Sequence, residues 1–167
     1  MARFQLETII AAPIELCFDL ARNIDVHLAA ATARGQKAIA GTTSGLIGLG
    51  ETVTWEGRYL LLRRQMTSRI VEFDFPHMFA DEMQRGAFHH WRHTHRFMQV
   101  GAGTRMHDDV DFASPLGPIG YVTDVLFMRN YMRKLLLGHN AFLKYLAENP
   151  SQLDGLSNTL SDTKGKT

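Results

Sequence analysis

The chain has 167 residues, 45% of them hydrophobic, and its acidic and basic residues are interspersed and leave a net charge of +1. This length predicts one domain, and the lack of a clustered basic segment argues against a nucleic-acid partner. The single cysteine excludes an internal disulfide and a thiolate metal site. No apolar run approaches the roughly 18 residues that a membrane span requires. The N-terminus also lacks a signal-peptide pattern, so the sequence predicts a cytoplasmic protein.

The first forty residues predict a strand, two short helices and a second strand. Arg3 to Ile10 alternates between two faces, as a strand does. Pro13 lies in the first turn of a helix, where its missing N–H costs nothing. Asp25 is suited to cap a second short helix that runs to about Ala33. Lys37–Gly41 has the composition of a short strand.

A glycine-rich loop, 42–50, precedes the third strand. It resembles a phosphate-binding loop superficially, but neither the Gly-Lys-Ser/Thr sequence nor a helix follows it. We therefore interpret Gly45–Gly50 as a flexible turn at the mouth of a pocket, and its role stays open. The strand after the loop places four residues on one face, namely Val53, Trp55, Gly57 and Tyr59.

Two further strands, at about 64–73 and 78–88, lead into a β-hairpin whose inner face mixes apolar and polar side chains. That face is mostly aromatic or aliphatic, yet it includes two histidines and one aspartate. Unpaired buried polar groups cost free energy, so these three residues need an explanation. The face consists of Trp91, His93, His95 and Phe97 on the first strand and Met106, Asp108, Val110 and Phe112 on the second.

The turn of the hairpin sets the register of its strands. A loop of two or four residues centred on Gly101–Ala102 places His95 opposite Asp108 and pairs the apolar residues with one another. A slip by one residue would turn one apolar set to solvent and is disfavoured. A slip by two would bring His93 opposite Asp108 instead. In both alternatives an inward carboxylate lies near an inward imidazole.

From Ile119 to about Glu148 the hydrophobic period changes from two to 3.6, which predicts a long amphipathic helix. Pro150 is its expected stop. The residues after it are mostly polar and predict a flexible C-terminal tail over 150–167. The buried stripe of the helix is predicted to contain Tyr121, Val125, Met128, Met132, Leu135, His139, Phe142 and Leu146.

This order of elements predicts an α+β fold. A curved antiparallel sheet of six or seven strands wraps around the long C-terminal helix, and the two short helices after the first strand close one end. Residues 1–149 form this single domain. The sheet and the helix do not fill all of the space between them, so we expect a ligand cavity there.

Several segments have sequences typical of one family: Ile10–Glu15 with Phe18, Gly48–Trp55, Ser68–Ile70 with Pro76 and Phe79, Arg85–Phe88, Trp91–Phe97, Gly103–Thr104 with Asp108, and Pro115–Gly120. With the order of elements, they resemble the helix-grip START/SRPBCC superfamily, in particular a bacterial ligand-binding, cell-division-inhibitor-like branch. The resemblance spans residues 3–147 and implies binding of lipids, polyketides or other apolar small molecules, or catalysis of a cyclisation. Gly138 departs from it, because an arginine is expected before His139.

The sequence thus predicts that a lipid-like, polyketide-like or aromatic molecule binds between the sheet and the C-terminal helix. A cyclase- or dehydratase-type enzyme with a His95–Asp108 pair as general base is the alternative. A protein-interaction role in cell division is a second alternative, although no exposed apolar patch is evident from the sequence, and a homodimer stays open. The candidate ligand-binding residues are Trp55, Tyr59, Met83, Trp91, His93, His95, Phe97, Met106, Asp108, Val110, Phe112, Val125, Met128 and Met132.

His93 and His95 have the spacing of two metal ligands on one strand face, with Asp108 as a candidate third ligand. No cysteine partner and no clear fourth ligand accompany them. The sequence therefore favours a hydrogen-bonded His–Asp pair in the cavity wall and predicts neither a metal nor a cofactor.

Overall fold

The computed structural model describes residues 1–31, 35–59, 62–115 and 117–153. Strand β1 (Ala2–Ile10) is followed by two short helices, α1 (Ile14–Ala21) and α2 (Ile24–Ala30). Six more strands come next: β2 (Lys37–Gly41), β3 (Thr52–Tyr59), β4 (Leu62–Asp74), β5 (Met78–Arg85), β6 (His90–Val100) and β7 (Gly103–Ala113). The C-terminal helix, 117–148, consists of α3 (Gly117–Thr123), a π-helical turn (Asp124–Met128) and α4 (Arg129–Glu148).

The seven strands form one antiparallel sheet in the order β1-β7-β6-β5-β4-β3-β2. Strands β2 to β7 lie in chain order, as in a meander. Strand β1 pairs with β7 and forms the edge of the sheet opposite β2. Helix α4 packs against β1, α1 and α2. The predicted α+β helix-grip architecture is confirmed.

The β6–β7 hairpin has the predicted register. Gly101 and Ala102 form a two-residue loop, and Gly101 adopts a φ of 61°, which a residue without a side chain adopts at no steric cost. His95 therefore lies opposite Asp108. The slip by two residues, which would have paired His93 with Asp108, does not occur.

Helix α2 begins two residues earlier than its predicted cap implies. Asn23, not Asp25, is the N-cap, because its Oδ1 accepts hydrogen bonds from the N–H groups of Asp25 and Val26 at 2.9 and 3.2 Å. Asp25 instead accepts a hydrogen bond from the N–H of Gly45 at 2.8 Å and ties the glycine-rich loop to the helix. The helix ends at Ala30, and the predicted end at Ala33 lies outside the described residues.

Two apolar clusters hold the sheet against the helices. The larger one centres on the fully buried Phe18 of α1, whose ring packs against four other phenylalanine rings at centroid distances of 5.2–5.4 Å. Burial of one such side chain contributes about 1.5–3 kcal/mol. The smaller cluster joins Phe4, Trp91, Val110 and Phe112 to the partly buried Met128 and Leu136 of the C-terminal helix.

The N-terminal part of the C-terminal helix contradicts the predicted buried stripe. Tyr121 and Val125 are 53% and 40% exposed, whereas Asp124 is buried and accepts a hydrogen bond from the Ser114 N–H at 2.8 Å. The π-helical turn explains the difference, because its wider turn shifts the stripe out of phase with the 3.6-residue period of α4.

The C-terminal tail begins with one helical turn, Ser151–Leu153, and Leu153 packs partly buried against the larger apolar cluster. Residues 154–167 lie outside the described part of the chain, so their predicted flexibility stays a prediction. Among the described residues, no helix combines the length and the apolar composition that crossing a membrane requires.

Candidate functional site

A partly open cavity of about 160 Å³ lies between the inner face of the sheet and the helices α2 and α4. Most of its lining is apolar. Trp55 of β3 and Trp91 of β6 contribute aromatic surface, Met132 and Leu135 of α4 lie on the helical side, and Ile47 reaches in from the glycine-rich loop. The loop is thus part of the cavity wall.

One wall of the cavity is polar. Pairing of β5 with β6 places Asp81 opposite His93, and pairing of β6 with β7 places His95 opposite Asp108. Asp81, His93 and His95 line the cavity, while Asp108 is completely buried behind the two imidazoles. We call Asp81, His93, His95 and Asp108 the inner polar cluster.

Asp108 is the centre of this cluster. Its Oδ1 lies 3.0 Å from His93 Nε2, with hydrogen-bond geometry. The same oxygen lies 2.8 Å from His95 Nδ1, but off the direction of the ring N–H, so this close contact is not a well-formed hydrogen bond. Its Oδ2 accepts a hydrogen bond at 2.6 Å from Asn140 Nδ2 of α4. The helix therefore fixes the carboxylate that contacts both imidazoles.

The two imidazoles also pack closely on each other. The ring centroids of His93 and His95 are 3.8 Å apart, and His95 stacks on Phe79 at 4.3 Å. Asp81 Oδ1 lies 3.9 Å from His93 Nδ1. Because two cationic rings at this distance would repel each other, the cluster favours one charged imidazole beside one neutral imidazole.

The pKa shifts follow this arrangement. Burial lowers the pKa of His93, but the hydrogen bond and the charge of Asp108 outweigh burial and leave that pKa raised. Burial and the charge of His93 lower the pKa of His95. Burial raises the pKa of Asp81. Burial would also raise the pKa of Asp108, but its contacts with the two histidines hold it far below the ordinary value. The shifts in pKa therefore favour a proton on His93 over a proton on His95.

A second group of aromatic and polar residues lines the cavity between α2, β3 and α4. His27 stacks on Trp55 at a centroid distance of 4.4 Å, and its ring lies 4.8 Å from that of His139. The side chains of His27 and Gln36 approach to 3.4 Å. The cavity thus has polar atoms on two sides of an apolar interior.

The structure brings five of the predicted ligand-binding residues to the cavity, namely Trp55, Trp91, His93, His95 and Met132. Phe97, Met106, Val110 and Phe112 are instead core residues, and Met83 and Met128 pack at the edge of the smaller apolar cluster. Val125 is wrong as a cavity residue, because the π-helical turn leaves it 40% exposed. Asp108 supports the cavity wall from behind. The side chain of Tyr59 lies outside the described part.

The sequence interpretation did not identify three polar residues that lie in or beside the inner polar cluster: Asp81, Ser68 and Asn140. Asp81 shares a face of β5 with Phe79, but the mixed pattern of this strand does not show from the sequence that this face lines a cavity. Ser68 lines the cavity on the same pair of strands. Asn140 follows His139 on α4, and its helical spacing from Leu136 and Leu143 was the available signal in the sequence.

The N-terminal part of the C-terminal helix forms an exposed apolar surface. Its side chains are between 53% and 71% exposed at five positions, and this patch was not evident from the sequence alone. Surfaces of this kind are typical of contact sites. The five residues are Ile119, Tyr121, Val122, Leu126 and Phe127.

No family model matches the chain, and no curated protein matches it in sequence. Solved structures do match it. The protein TTHA0849 from Thermus thermophilus is 18% identical, with a TM-score of 0.66 over 85% of this chain and 97% of that one. A START superfamily protein from Mycobacterium smegmatis is 12% identical, with a TM-score of 0.66 over 86% of this chain and 98% of that one.

The major latex-like protein 151 from Panax ginseng is 13% identical, with a TM-score of 0.61 over 87% of this chain and 97% of that one. Identities this low show a common fold and leave the cell-division-inhibitor-like branch a prediction. The chain therefore has the helix-grip fold of the START/SRPBCC superfamily.

Proposed function

We propose that the protein binds an apolar small molecule in the cavity between the sheet and the C-terminal helix. The observation that carries this proposal is the cavity itself, which combines an apolar interior with a few convergent polar side chains. This combination is typical of small-molecule sites, because the apolar wall provides affinity and the polar atoms orient the ligand.

The cavity dimensions suggest what kind of molecule fits. A dry cavity of about 150 Å³ accommodates a benzene ring, so a cavity of about 160 Å³ has room for at least one ring. Trp55 and Trp91 line the cavity and offer aromatic surface to a ligand. Asp81, His93 and His95 lie on one wall and can exchange hydrogen bonds with a hydroxyl or carbonyl group of the ligand. An aromatic or polyketide-like ligand with one polar end fits both features.

The test has two parts. Native mass spectrometry of the protein purified from its own host should reveal a bound apolar compound. Isothermal titration of purified protein with 2-naphthol should then detect one site per chain. Failure of both measurements would contradict the proposal.

A matched pair of variants locates the site. Leu135 lines the cavity, whereas Leu137 on the same helix is 40% exposed and lies away from it. Leu135→Trp should fill the cavity and weaken binding of 2-naphthol at least tenfold, while Leu137→Trp should leave binding unchanged. Equal effects of the two substitutions would place the ligand elsewhere.

A cyclase- or dehydratase-type enzyme is the second candidate function. The observation in its favour is that the two imidazoles with opposite pKa shifts both line the cavity, with Asp108 behind them. The lowered pKa of His95 favours its neutral form, which can accept a proton, and the raised pKa of His93 favours its protonated form, which can donate one. Conversion of the compound that co-purifies, lost in His95→Gln with binding retained, would favour the enzyme over the carrier.

A further inference from the structure

We infer that the cavity wall contains a site for one first-row divalent transition-metal ion. Asp81, His93 and His95 are its protein ligands, and Asp108 is the carboxylate that orients the two imidazoles. The site goes beyond small-molecule binding and does not depend on it.

The spacing of the donor atoms supports the site. Asp81, His93 and His95 each offer one ligand atom, and these atoms lie within 4.8 Å of one another. Metal–nitrogen and metal–oxygen bonds of about 2.0–2.2 Å place the ligands of a tetrahedral ion roughly 3.4 Å apart. Asp81 is only partly buried, so rotation of its side chain can close the remaining gap.

Asp108 provides the second feature of a metal site. Histidine ligands usually donate their other ring N–H to a carboxylate, which fixes the tautomer and the orientation of the ring. Asp108 Oδ1 faces His93 Nε2 at 3.0 Å and His95 Nδ1 at 2.8 Å. This leaves His93 Nδ1 and His95 Nε2 as the nitrogens for the ion. The hydrogen bond that Asn140 donates to Asp108 Oδ2 holds this supporting carboxylate in place.

Charge and donor type indicate the class of ion. Two carboxylates face two imidazoles in a largely buried wall. A divalent cation bound there would offset the negative charge of the carboxylates. Imidazole nitrogen with carboxylate oxygen suits zinc, iron, cobalt or nickel better than magnesium or calcium. Three protein ligands leave at least one coordination position open to the cavity.

Ser68 adds a polar atom at the same wall. Its Oγ is buried and makes no hydrogen bond of normal geometry within the described part of the chain, although it lies close enough to Asp81 to affect that carboxylate. A water molecule on the ion would give this hydroxyl a partner.

The proposed site departs from the sequence-based expectation of no metal. That expectation considered Asp108 as a candidate third ligand and found no clear third and fourth ligand. Asp81, from the neighbouring strand β5, takes the ligand position, and Asp108 moves to the supporting position behind the imidazoles. If the proposed function also holds, the open position would bind an oxygen atom of the apolar ligand.

The experiment uses the full chain after treatment with a chelator. Isothermal titration with Zn²⁺ should give one ion per chain, and Co²⁺ should produce visible absorption bands of a site with nitrogen ligands. Asp81→Asn should weaken Zn²⁺ binding at least tenfold. Asp108→Asn should weaken it about 10- to 100-fold, as expected for a supporting carboxylate.

The control is His107→Ala, which removes a histidine on the opposite face of β7 and should leave Zn²⁺ binding unchanged. Circular dichroism melting checks that each variant is folded. Asp81 is only partly buried, so the Asp81→Asn variant is expected to fold. It therefore tests the site even if variants of the two histidines do not fold. Absence of Zn²⁺ binding, or binding that Asp81→Asn leaves unchanged, would overturn the site. Titration of the metal-free protein with 2-naphthol tests the proposed function separately.

Discussion

Asp108 and Asp109 are neighbours on β7, yet they lie on opposite faces of the sheet and in different surroundings. Asp108 is fully buried and contacts two imidazoles and Asn140. Asp109 lies on the outer face, where Arg3 donates to both of its oxygens, with an Nε–Oδ1 distance of 2.8 Å. The side chain of Arg3 is 58% exposed.

The difference between the two carboxylates shows which polar pair needs a functional explanation. The side chain of Arg3 is exposed, so water can solvate its guanidinium when Asp109 is lost, and that loss should change stability less than the loss of Asp108. No water can replace Asp108, and the two imidazoles would remain buried without their anion.

The largest effect is expected for Asp108→Ala. Removing one partner of a buried pair costs about 3–5 kcal/mol, because the remaining charge or polar group stays uncompensated. We expect a loss of this size in the free energy of unfolding, measured by denaturant titration at pH 7. Asp108→Asn keeps the shape of the side chain and should cost less. A loss close to zero in Asp108→Ala would show that the inner polar cluster is solvated.

An intermediate effect is expected in the titration of the histidines in metal-free protein. His93 should titrate above its ordinary pKa and His95 below its own, which NMR of the histidine ring protons measures. Asp108→Asn removes the charge that stabilises the His93 imidazolium and should lower the pKa of His93. Indistinguishable pKa values for the two residues would contradict the division of roles between them.

The sign of the stability change follows from the same shifts. The pKa of His93 is raised in the folded state. The contribution of this residue to the free energy of unfolding is therefore fully present below about pH 6.5 and is lost as the pH rises through the folded pKa. The folded pKa of Asp108 is lowered, so its contribution is present above about pH 3.9 and is lost as the pH falls through the folded value. In His95→Gln, where His93 alone of the pair titrates, the free energy of unfolding should decrease from pH 6 to pH 9.

The smallest effect is expected for the outer pair. Asp109→Ala should cost less than about a third of the stability lost in Asp108→Ala, because Arg3 regains water. Salt should also separate the two substitutions. In 1 M NaCl the effect of Asp109→Ala should shrink, since surface charges are screened, whereas the effect of Asp108→Ala should persist. An equal salt dependence of Asp108→Ala and Asp109→Ala would contradict the distinction between the inner and the outer carboxylate.

The sequence predicted the β6–β7 hairpin well because its alternation is regular. The parity of His93, His95 and Asp108 and the two-residue turn at Gly101 are sufficient to fix both the buried face and the register. The change of period near residue 118 also located the C-terminal helix. Local pattern and turn chemistry determine these features.

The remaining parts of the site depend on irregularities that no simple period encodes. Pairing of β5 with β6 brings Asp81 to the cavity, which the mixed pattern of β5 does not reveal, and the π-helical turn exposes Val125 and buries Asp124. Asn140 contacts Asp108 only because α4 crosses this region of the sheet. Such tertiary contacts, together with the shape of the cavity, lie beyond what alternation in one chain can predict.

The central claim is that the inner polar cluster faces a bound apolar molecule. The most direct test is histidine side-chain NMR of the metal-free protein, recorded with and without 2-naphthol. We predict that the ring resonances of His93 and His95 shift with the fractional saturation measured by titration, while those of His107 on the outer face stay unchanged. Saturable binding of 2-naphthol without any shift of His93 or His95 would contradict the account.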